Sequence, residues 1–471
     1  MRTPGLALGA VALSISVVTG IGTGITAGTA AGVSMAPPEQ PAANVVLMMM
    51  DDATSEDIQY MPNVQKLLVE QGTNFARNYS PYPVCCPARA TVLTGQYAHN
   101  HGVLGNVSPH GGASVFDDSH SIATYLTDDY DTAIVGKYLN HFEETYYVPP
   151  GWDTWQVPVN GTTYNYAHQV LSLNGTLQTF DAYMTDQYGL QAQAFIDEAD
   201  EPFFAFISWV APHNGTPHET PDDQHGTPYV EEEYRGSYMG PLLPEDSSFN
   251  ETDVTDKHSA LRDEPLLTSK IVALIQEKLV QRRESLRSVD DQVANLVASV
   301  ADSGELDHTY FVLISDNGQM QGQHRIERGK GVPYEPSARV PLIIRGPGFP
   351  AGSTYNKVTG LQDVTPTILS MTSQWRDQRE DQIDGVSLLN LLQKRAATNR
   401  VQVIEAAQTT DLTDIQIEKG ATPTRSEARD LQTVSWTWRG IVTSGGWKLL
   451  HFPPTNEYEM YNLDKDPYEE R

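Results

Sequence analysis

Four short apolar runs, each closing on polar residues, constrain this sequence more than any other feature. Val45–Met50 precedes Asp51-Asp52, and Thr132–Val135 precedes Gly136-Lys137. Phe203–Trp209 precedes Pro212-His213, and Tyr310–Ile314 precedes Asp316-Asn317. Pro341–Ile344 and Val401–Glu405 are two further runs of the same kind. A strand that is apolar at every position, rather than at alternate ones, belongs in a sheet covered on both faces. Helical patterns lie between the runs. One is Pro62–Glu70; another spans Leu266–Val300, where Val289, Val293, Leu296, Val297 and Val300 form an apolar core stripe at helical spacing. Strands alternating with helices predict an open α/β sheet of mostly parallel strands flanked by helices. Ligands in such sheets sit beyond the carboxyl ends of the strands, where all the polar residues just named fall.

Length divides this architecture. A chain of 471 residues exceeds what one core usually serves. We expect a catalytic domain over residues 44–374 and a small C-terminal α+β subdomain over 375–471, the latter with strand-like pieces Val434–Val442 and Trp447–Phe452. Asn214–Pro265 is rich in Pro, Gly and acidic residues without periodicity; a functional loop and a solvated insertion both fit it. At the other end, Arg2, the apolar run Leu6–Val18 and the small residues that follow read as an export signal over residues 1–34. Residues 35–43 (MAPPEQPAA through Ala43) read as a linker. No other segment has the length and apolarity to span a membrane, so the expectation is an exported protein with no further membrane association.

A formal charge of −29 argues against nucleic acid, which is bound through Lys and Arg. It also repels anions at long range, so any anion site must be a local basic pocket. The two cysteines are adjacent, Cys85 and Cys86. A disulfide between neighbours closes almost no loop and strains the backbone, and structural zinc needs a second pair that is missing. Chemistry explains these cysteines better than architecture does. Asp51-Asp52 after a buried strand can be a helix cap, or it can be part of a cation site. Asp316-Asn317 repeats the arrangement, and together the four offer only oxygen ligands, which suits calcium, with magnesium less favoured.

The stretch PVCCPARATVLTG (Pro83–Gly95) resembles the signature of the sulfatase family, whose core is Cys-x-Pro-x-Arg. The resemblance extends through GKYLNHFEETYYVPPGWDTW (Gly136–Trp155), YNYAHQVLSLNGT (Tyr164–Thr176) and PFFAFISWVAPHNGTPHE (Pro202–Glu219). SDNGQMQGQH (Ser315–His324) and GKGVPYEPSARVPLIIRGPG (Gly329–Gly348) complete it, in the family's order. It is nearest to the branch of N-acetylglucosamine-6-sulfatases and extracellular heparan endosulfatases, and it implies an alkaline-phosphatase-like fold. It further implies that Cys85 is oxidised to formylglycine by a formylglycine-generating enzyme. Asp51, Asp52, Asp316 and Asn317 would then hold calcium, with the modified Cys85 as a further ligand. Arg89 would neutralise the carboxylates and orient the nucleophile, Lys137 and Lys330 would grip the sulfate, and His213 would protonate the leaving alcohol. Cys86 would be a passenger.

The implied activity is hydrolysis of sulfate monoesters, of sulfated carbohydrates such as amino sugars and glycosaminoglycan pieces, and of aryl sulfates. The alternatives are a phosphomonoester or phosphodiester hydrolase on the same scaffold and a catalytically silent protein that binds sulfated glycans. Two features depart from the wider family. Leu139 stands where many members have a histidine, which leaves the base near Cys85 open between His324 and His141. EMYNLDKDPYEER resembles the family's closing element, which usually continues into a further helix, whereas this sequence stops at Arg471; a fragment and a short tail both fit.

Overall fold

The computed structural model describes residues 42–126, 129–199, 202–217, 226–375, 382–394, 399–407 and 436–471. The expected export signal, and the linker up to Pro41, lie outside them. Residues 42–471 form one compact unit. No helix among the described residues is long and apolar enough to cross a membrane.

Ten strands make the main sheet. In chain order the strands are β1 (Asn44–Met50), β2 (Thr73–Phe75), β3 (Asn78–Tyr79), β4 (Asp131–Gly136), β5 (Thr154–Val159), β6 (Gln169–Leu173), β7 (Thr176–Phe180) and β8 (Phe203–Ser208). They continue as β9 (Thr309–Ser315), β10 (Leu342–Arg345), β11 (Ser353–Tyr355) and β12 (Thr359–Gly360), then β13 (Val401–Ala406), β14 (Trp438–Thr443), β15 (Trp447–Phe452) and β16 (Glu457–Asn462). The main sheet runs β11-β2-β10-β9-β1-β8-β4-β5-β6-β7. Its centre, from β9 to β5, is parallel throughout. β10 is antiparallel to β9, which apolar content alone does not distinguish.

The continuous apolarity of β1 is explained by its two faces. Val45, Leu47 and Met49 enter one core, and Val46, Met48 and Met50 enter the other, all fully buried. The first core includes helices Cys85–Thr94 and Val364–Met371; the second includes helices Met184–Glu198 and Ser269–Asp302. The predicted stripe Val289, Val293, Leu296, Val297 and Val300 packs there. That long helix starts at Ser269 because the Thr268 hydroxyl accepts the N–H of Ile271 and caps it. The hairpin β6–β7 turns on Asn174-Gly175, both with positive φ, a two-residue turn that the apolar pattern leaves unmarked.

The C-terminal subdomain is a four-stranded antiparallel sheet, β13-β14-β15-β16. The piece expected over Val434–Val442 is strand from Trp438 to Thr443, with Val434 outside the described residues. Ile404, Trp438, Val442, Leu450, Phe452 and Tyr461 pack one of its faces against Tyr79, Met320, Val332 and Tyr334.

Candidate functional site

Because β9, β1, β8 and β4 are consecutive parallel neighbours, their carboxyl ends lie side by side. Main-chain bonds continue past the strand ends and hold the loops in step. Asp316 N–H donates to Met50 O (3.2 Å), Trp209 N–H to Met49 O (2.9 Å) and Lys137 N–H to Ser208 O (2.9 Å). The residues beyond these ends, Asp316-Asn317, Asp51-Asp52, His213 and Lys137, converge. Helix Cys85–Thr94 adds Cys85 in its first turn and Arg89 one turn on. The loop after β9 adds Lys330.

Cys85 Sγ lies 3.4 Å from Asp51 Oδ1 and 2.7 Å from Lys330 Nζ. Lys330 Nζ also donates to Asp52 Oδ1, and Lys137 Nζ to Asp51 Oδ2. Arg89 is fully buried. Its Nε donates to Asp316 Oδ2 (2.8 Å), and one terminal nitrogen donates to Lys137 O (2.8 Å) and Ser208 Oγ (2.7 Å). Its other terminal nitrogen faces Asp51 at 3.6 Å. His213 presents Nε2 to Asp52 Oδ2 at 3.8 Å while Nδ1 lies 2.7 Å from Asn214 O. A carbonyl only accepts, so the proton sits on Nδ1 and Nε2 faces the cluster. The Tyr164 ring stacks on His213, centroids 4.5 Å apart, and Lys137 Nζ lies 4.9 Å from the Tyr164 centroid.

The electrostatics follow from burial opposed by pairing. Burial alone would raise the Asp51 carboxyl, but Lys137, His213, Arg89 and Lys330 hold it well below the usual range. Asp52 is lowered likewise, against burial, by Lys330 and His213. Asp316 is pushed up to about 6 by burial and by Asp51. Burial would lower Lys330, yet Asp52 and Cys85 raise it well above the ordinary range. Burial and Asp51 push the Cys85 thiol up to about 12, so it is protonated at neutral pH. Burial takes His213 down to about 4.

Two observations test the fit of a hard cation. Asn317 Nδ2 donates to Asp52 Oδ1 (2.6 Å) and Gly318 O (3.0 Å), which turns Oδ1 the other way. That Oδ1 is buried with no hydrogen-bond partner, a costly state for an acceptor unless a cation or water meets it. Asp51, Asp52, Cys85 and His213 also bring one donor atom each within 4.8 Å of one another. The sulfur and nitrogen in that set would favour a softer ion. Asp316 and the orphaned amide oxygen of Asn317 shift the balance towards oxygen, and the residues fit calcium or magnesium.

The remaining sequence candidates fall elsewhere. His324 is buried, but its Nδ1 pairs with Glu251 Oε2 (2.7 Å) and its ring lies against Tyr334. His141 is exposed. Cys86 is buried among apolar side chains, and burial pushes its thiol up to about 11. Asp51 and Asp52 cap no helix: the next helical turn begins at Asp57, after Glu56. Gln319, whose Nε2 donates to Asp52 Oδ2 (3.3 Å), Ser208 and Tyr164 are contacts that sequence reading passed over. Gln319 was findable, being next but one to Asn317. Nothing in its local sequence marks Ser208, the last residue of an apolar strand.

A family model described as Sulfatase matches residues 43–374. An extracellular sulfatase SULF-1 homolog of Drosophila melanogaster is 33% identical over 75% of this chain and 31% of its own length. The N-acetylglucosamine-6-sulfatase of Homo sapiens is 30% identical over 90% of this chain and 79% of its own. The chain spans 54% of a Caenorhabditis elegans homolog of the same extracellular sulfatase, so about half or less of those longer relatives. Among solved structures, one described as a complex with its substrate D-glucosamine-2-N,6-O-disulfate superposes with a TM-score of 0.72. It is 21% identical, with 91% of this chain and 93% of that one covered. A phosphonate monoester hydrolase from Silicibacter pomeroyi shares the fold at a TM-score of 0.61 and 20% identity, over 90% and 89% of the two chains. With its family model covering most of the length, and with the motif-bearing residues gathered at one end of one sheet, this chain belongs to the sulfatase family.

Proposed function

We propose that the protein is an exported sulfatase that hydrolyses sulfate monoesters of sulfated amino sugars or glycosaminoglycan pieces, with aryl sulfates as artificial substrates. The observation that carries this reading is the juxtaposition of Cys85 Sγ with Lys330 Nζ (2.7 Å) and Asp51 Oδ1 (3.4 Å). It puts the modifiable side chain between an anion-binding cation and a metal-type carboxylate. The relatives named as extracellular sulfatases and as an N-acetylglucosamine-6-sulfatase support the substrate class and the export. The Cys85 thiol stands where formylglycine, made by a formylglycine-generating enzyme, would place its oxygens. Formylglycine at Cys85 would, as its hydrate, offer two hydroxyls on one carbon, one for attack on sulfur and one for the later release of sulfate with return to the aldehyde. Asp51, Asp52, Asp316 and Asn317 would hold calcium, whose charge offsets that of the sulfate oxygens.

The chain's own residues do the rest. Lys137 and Lys330 bring two ammonium groups to the sulfate and stabilise negative charge as it shifts to the leaving oxygen. Arg89 stays on Asp51 and Asp316 and fixes their orientation from inside the protein. His213, held through Nδ1 by Asn214 O, turns a bare Nε2 towards the position of the leaving alcohol; it would protonate that alcohol after taking up a proton at Nε2, which the negative charge of a bound sulfate ester beside the ring favours. The three cations make the local basic pocket that an acidic chain needs to hold an anion.

The test is the mass of the tryptic peptide Asn78–Arg89 from protein co-expressed with a formylglycine-generating enzyme, together with turnover of 4-nitrophenyl sulfate and 4-nitrophenyl phosphate. The expected result is an aldehyde or its hydrate at Cys85, an intact Cys86 thiol, and preference for the sulfate ester. Preference for the phosphate ester would move the assignment to a phosphoester hydrolase. Retained binding of a sulfated glycan without turnover of either ester would support the catalytically silent binder.

A further inference from the structure

Helix Ser269–Asp302 has the sequence of a core helix, and its apolar stripe packs as one. Two turns before the stripe it carries Arg282, which is 1% exposed although nothing in the cluster requires a fourth buried cation. Arg282 makes no hydrogen bond or ion pair with Asp51, Cys85 or Lys330. It reaches instead to the main chain and supports of the loops that bear the site.

One terminal nitrogen of Arg282 donates to Asp52 O (2.6 Å) and lies 3.4 Å from Asp57 Oδ2. The other donates to Pro212 O (3.3 Å) and to Gln319 Oε1 (3.1 Å). Each contact leads to the site. Asp57 Oδ2 accepts the N–H of Thr54 (2.9 Å) and so closes the loop that follows Asp52. Gln319, oriented by donating to Asp52 Oδ2, has its carbonyl oxygen tied down by the same guanidinium. Pro212 is the residue immediately before His213.

Asp52 explains why such a clamp is needed. Its φ is +69°, a left-handed conformation that a residue with a Cβ adopts at a cost of order 1 kcal/mol and keeps only where its surroundings enforce it. Its N–H is held by Asp316 Oδ1 (3.2 Å) and its C=O by Arg282. Both sides of the strained residue are thereby fixed, which sets the direction of its carboxylate.

We propose that Arg282 is a positioning residue that sets, through one guanidinium, the mutual geometry of the Asp52 carboxylate and the His213 imidazole. The proposal rests on the reading above that Asp52 is a calcium ligand and His213 faces the leaving group. A planar fork meets carbonyl and carboxylate oxygens of three loops at once, which a lysine cannot do. Arg283, its neighbour, is the internal control. It pairs with Asp57 Oδ1 (3.5 Å), donates to Tyr238 and Pro241 O, and makes no hydrogen bond or ion pair with Asp52, Pro212 or Gln319.

The experiment compares full-length Arg282→Gln, Arg282→Lys and Arg283→Gln with the parent protein. Two readouts are taken: the calcium dissociation constant by titration, and the His213 ring signal by NMR in metal-free protein. Loss of a group that orients a metal ligand weakens metal affinity about 10–100-fold. Arg282→Gln is expected to do so and to shift the His213 signal, with Arg283→Gln within about twofold of the parent on that scale. Arg282→Lys is expected to change both readouts in the same direction, and it decides the matter if the Gln variant fails to fold. Parent-like calcium affinity and a parent-like His213 signal in a folded Arg282 variant overturn the proposal. If the parent itself binds no calcium, the metal reading of Asp52 fails separately, and the His213 signal alone decides the role of Arg282.

Discussion

Two buried charge clusters in this molecule look alike in composition and differ in the groups that surround them. At the strand ends, Asp51, Asp52 and Asp316 face Arg89, Lys137 and Lys330. At the join with the C-terminal sheet, Glu335 and Glu469 face Lys448, with the half-buried Arg339 alongside. Both are balanced in formal charge. In the join, each oxygen of the two glutamates has a polar neighbour, the two Oε1 atoms sharing one. Lys448 Nζ lies 3.0 Å from Glu335 Oε1 and 2.7 Å from Glu469 Oε1. Tyr79 donates to Glu335 Oε2 (3.2 Å), and Glu335 N–H to Glu469 Oε2 (2.7 Å). The two clusters also share a residue with positive φ, Asp52 and Glu469, and a buried acceptor outside any hydrogen bond, Asn317 Oδ1 and Glu469 Oε1, the latter held only by its ion pair. Charge balance, a strained residue and an unused acceptor therefore do not mark a site. Among the described residues, what separates the strand-end cluster is that Asp51, Asp52, Cys85 and His213 bring metal-type donor atoms within 4.8 Å of one another.

The comparison breaks most sharply at Cys85. Cys85→Ala is expected to remove turnover of 4-nitrophenyl sulfate by roughly 10⁴-fold or more while leaving the thermal midpoint within a few degrees of the parent. Unchanged turnover would show that the strand-end cluster does not do the chemistry. Lys448→Met is the opposite case. It strands two buried glutamates and should cost about 3–5 kcal/mol in a denaturant titration, with kcat of the folded fraction unchanged. A loss of kcat without loss of stability would reverse the assignment of the two clusters.

A third outcome separates them by ligand. Calcium at a hundred times its dissociation constant should stabilise the parent by about 2.7 kcal/mol. Lys448→Met should show the same increment from its lower baseline, and Asn317→Leu much less. Equal increments in the parent and Asn317→Leu would remove Asn317 from the metal site.

The smallest effect belongs to His101, which lies in neither cluster. Burial takes its pKa down to about 4. Its Nδ1 accepts the N–H of Val103 (3.1 Å), so the neutral ring fits and a proton on Nδ1 does not. A lowered folded-state pKa means that the unfolded chain binds the proton more readily. The contribution of His101 is therefore complete above about pH 6.5 and is lost as pH falls towards 4, by up to about 1.4 kcal/mol for each pH unit of that window. His101→Gln should flatten that part of the stability profile; an unchanged slope would assign the acid sensitivity to other groups.

Much of the site was legible because strand ends and signature residues are local features. A buried strand must be apolar, a polar pair that follows it must have a use, and Cys-x-Pro-x-Arg lies within a single turn and a half of helix. Arg282 was not legible. It sits in an amphipathic helix where a basic residue is normally a solvated face, and only the packing of that helix against loops far away in sequence buries it. The reversed direction of β10 was equally hidden, since an apolar run carries no sign of its orientation.

Local sequence specifies which segments become central strands, which residues stand beyond their ends, and which cysteine lies in the signature motif. Those are consequences of local apolarity and local motif. The tertiary structure decided that β9, β1, β8 and β4 are neighbours, and so that Asn317 meets Asp52 across 265 residues of chain and Lys330 meets Cys85 across 245. The physical reason is that strand order is set by how helices and crossovers pack on the two faces of the sheet. That packing energy is shared by residues scattered along the whole chain and is written in no single stretch of it.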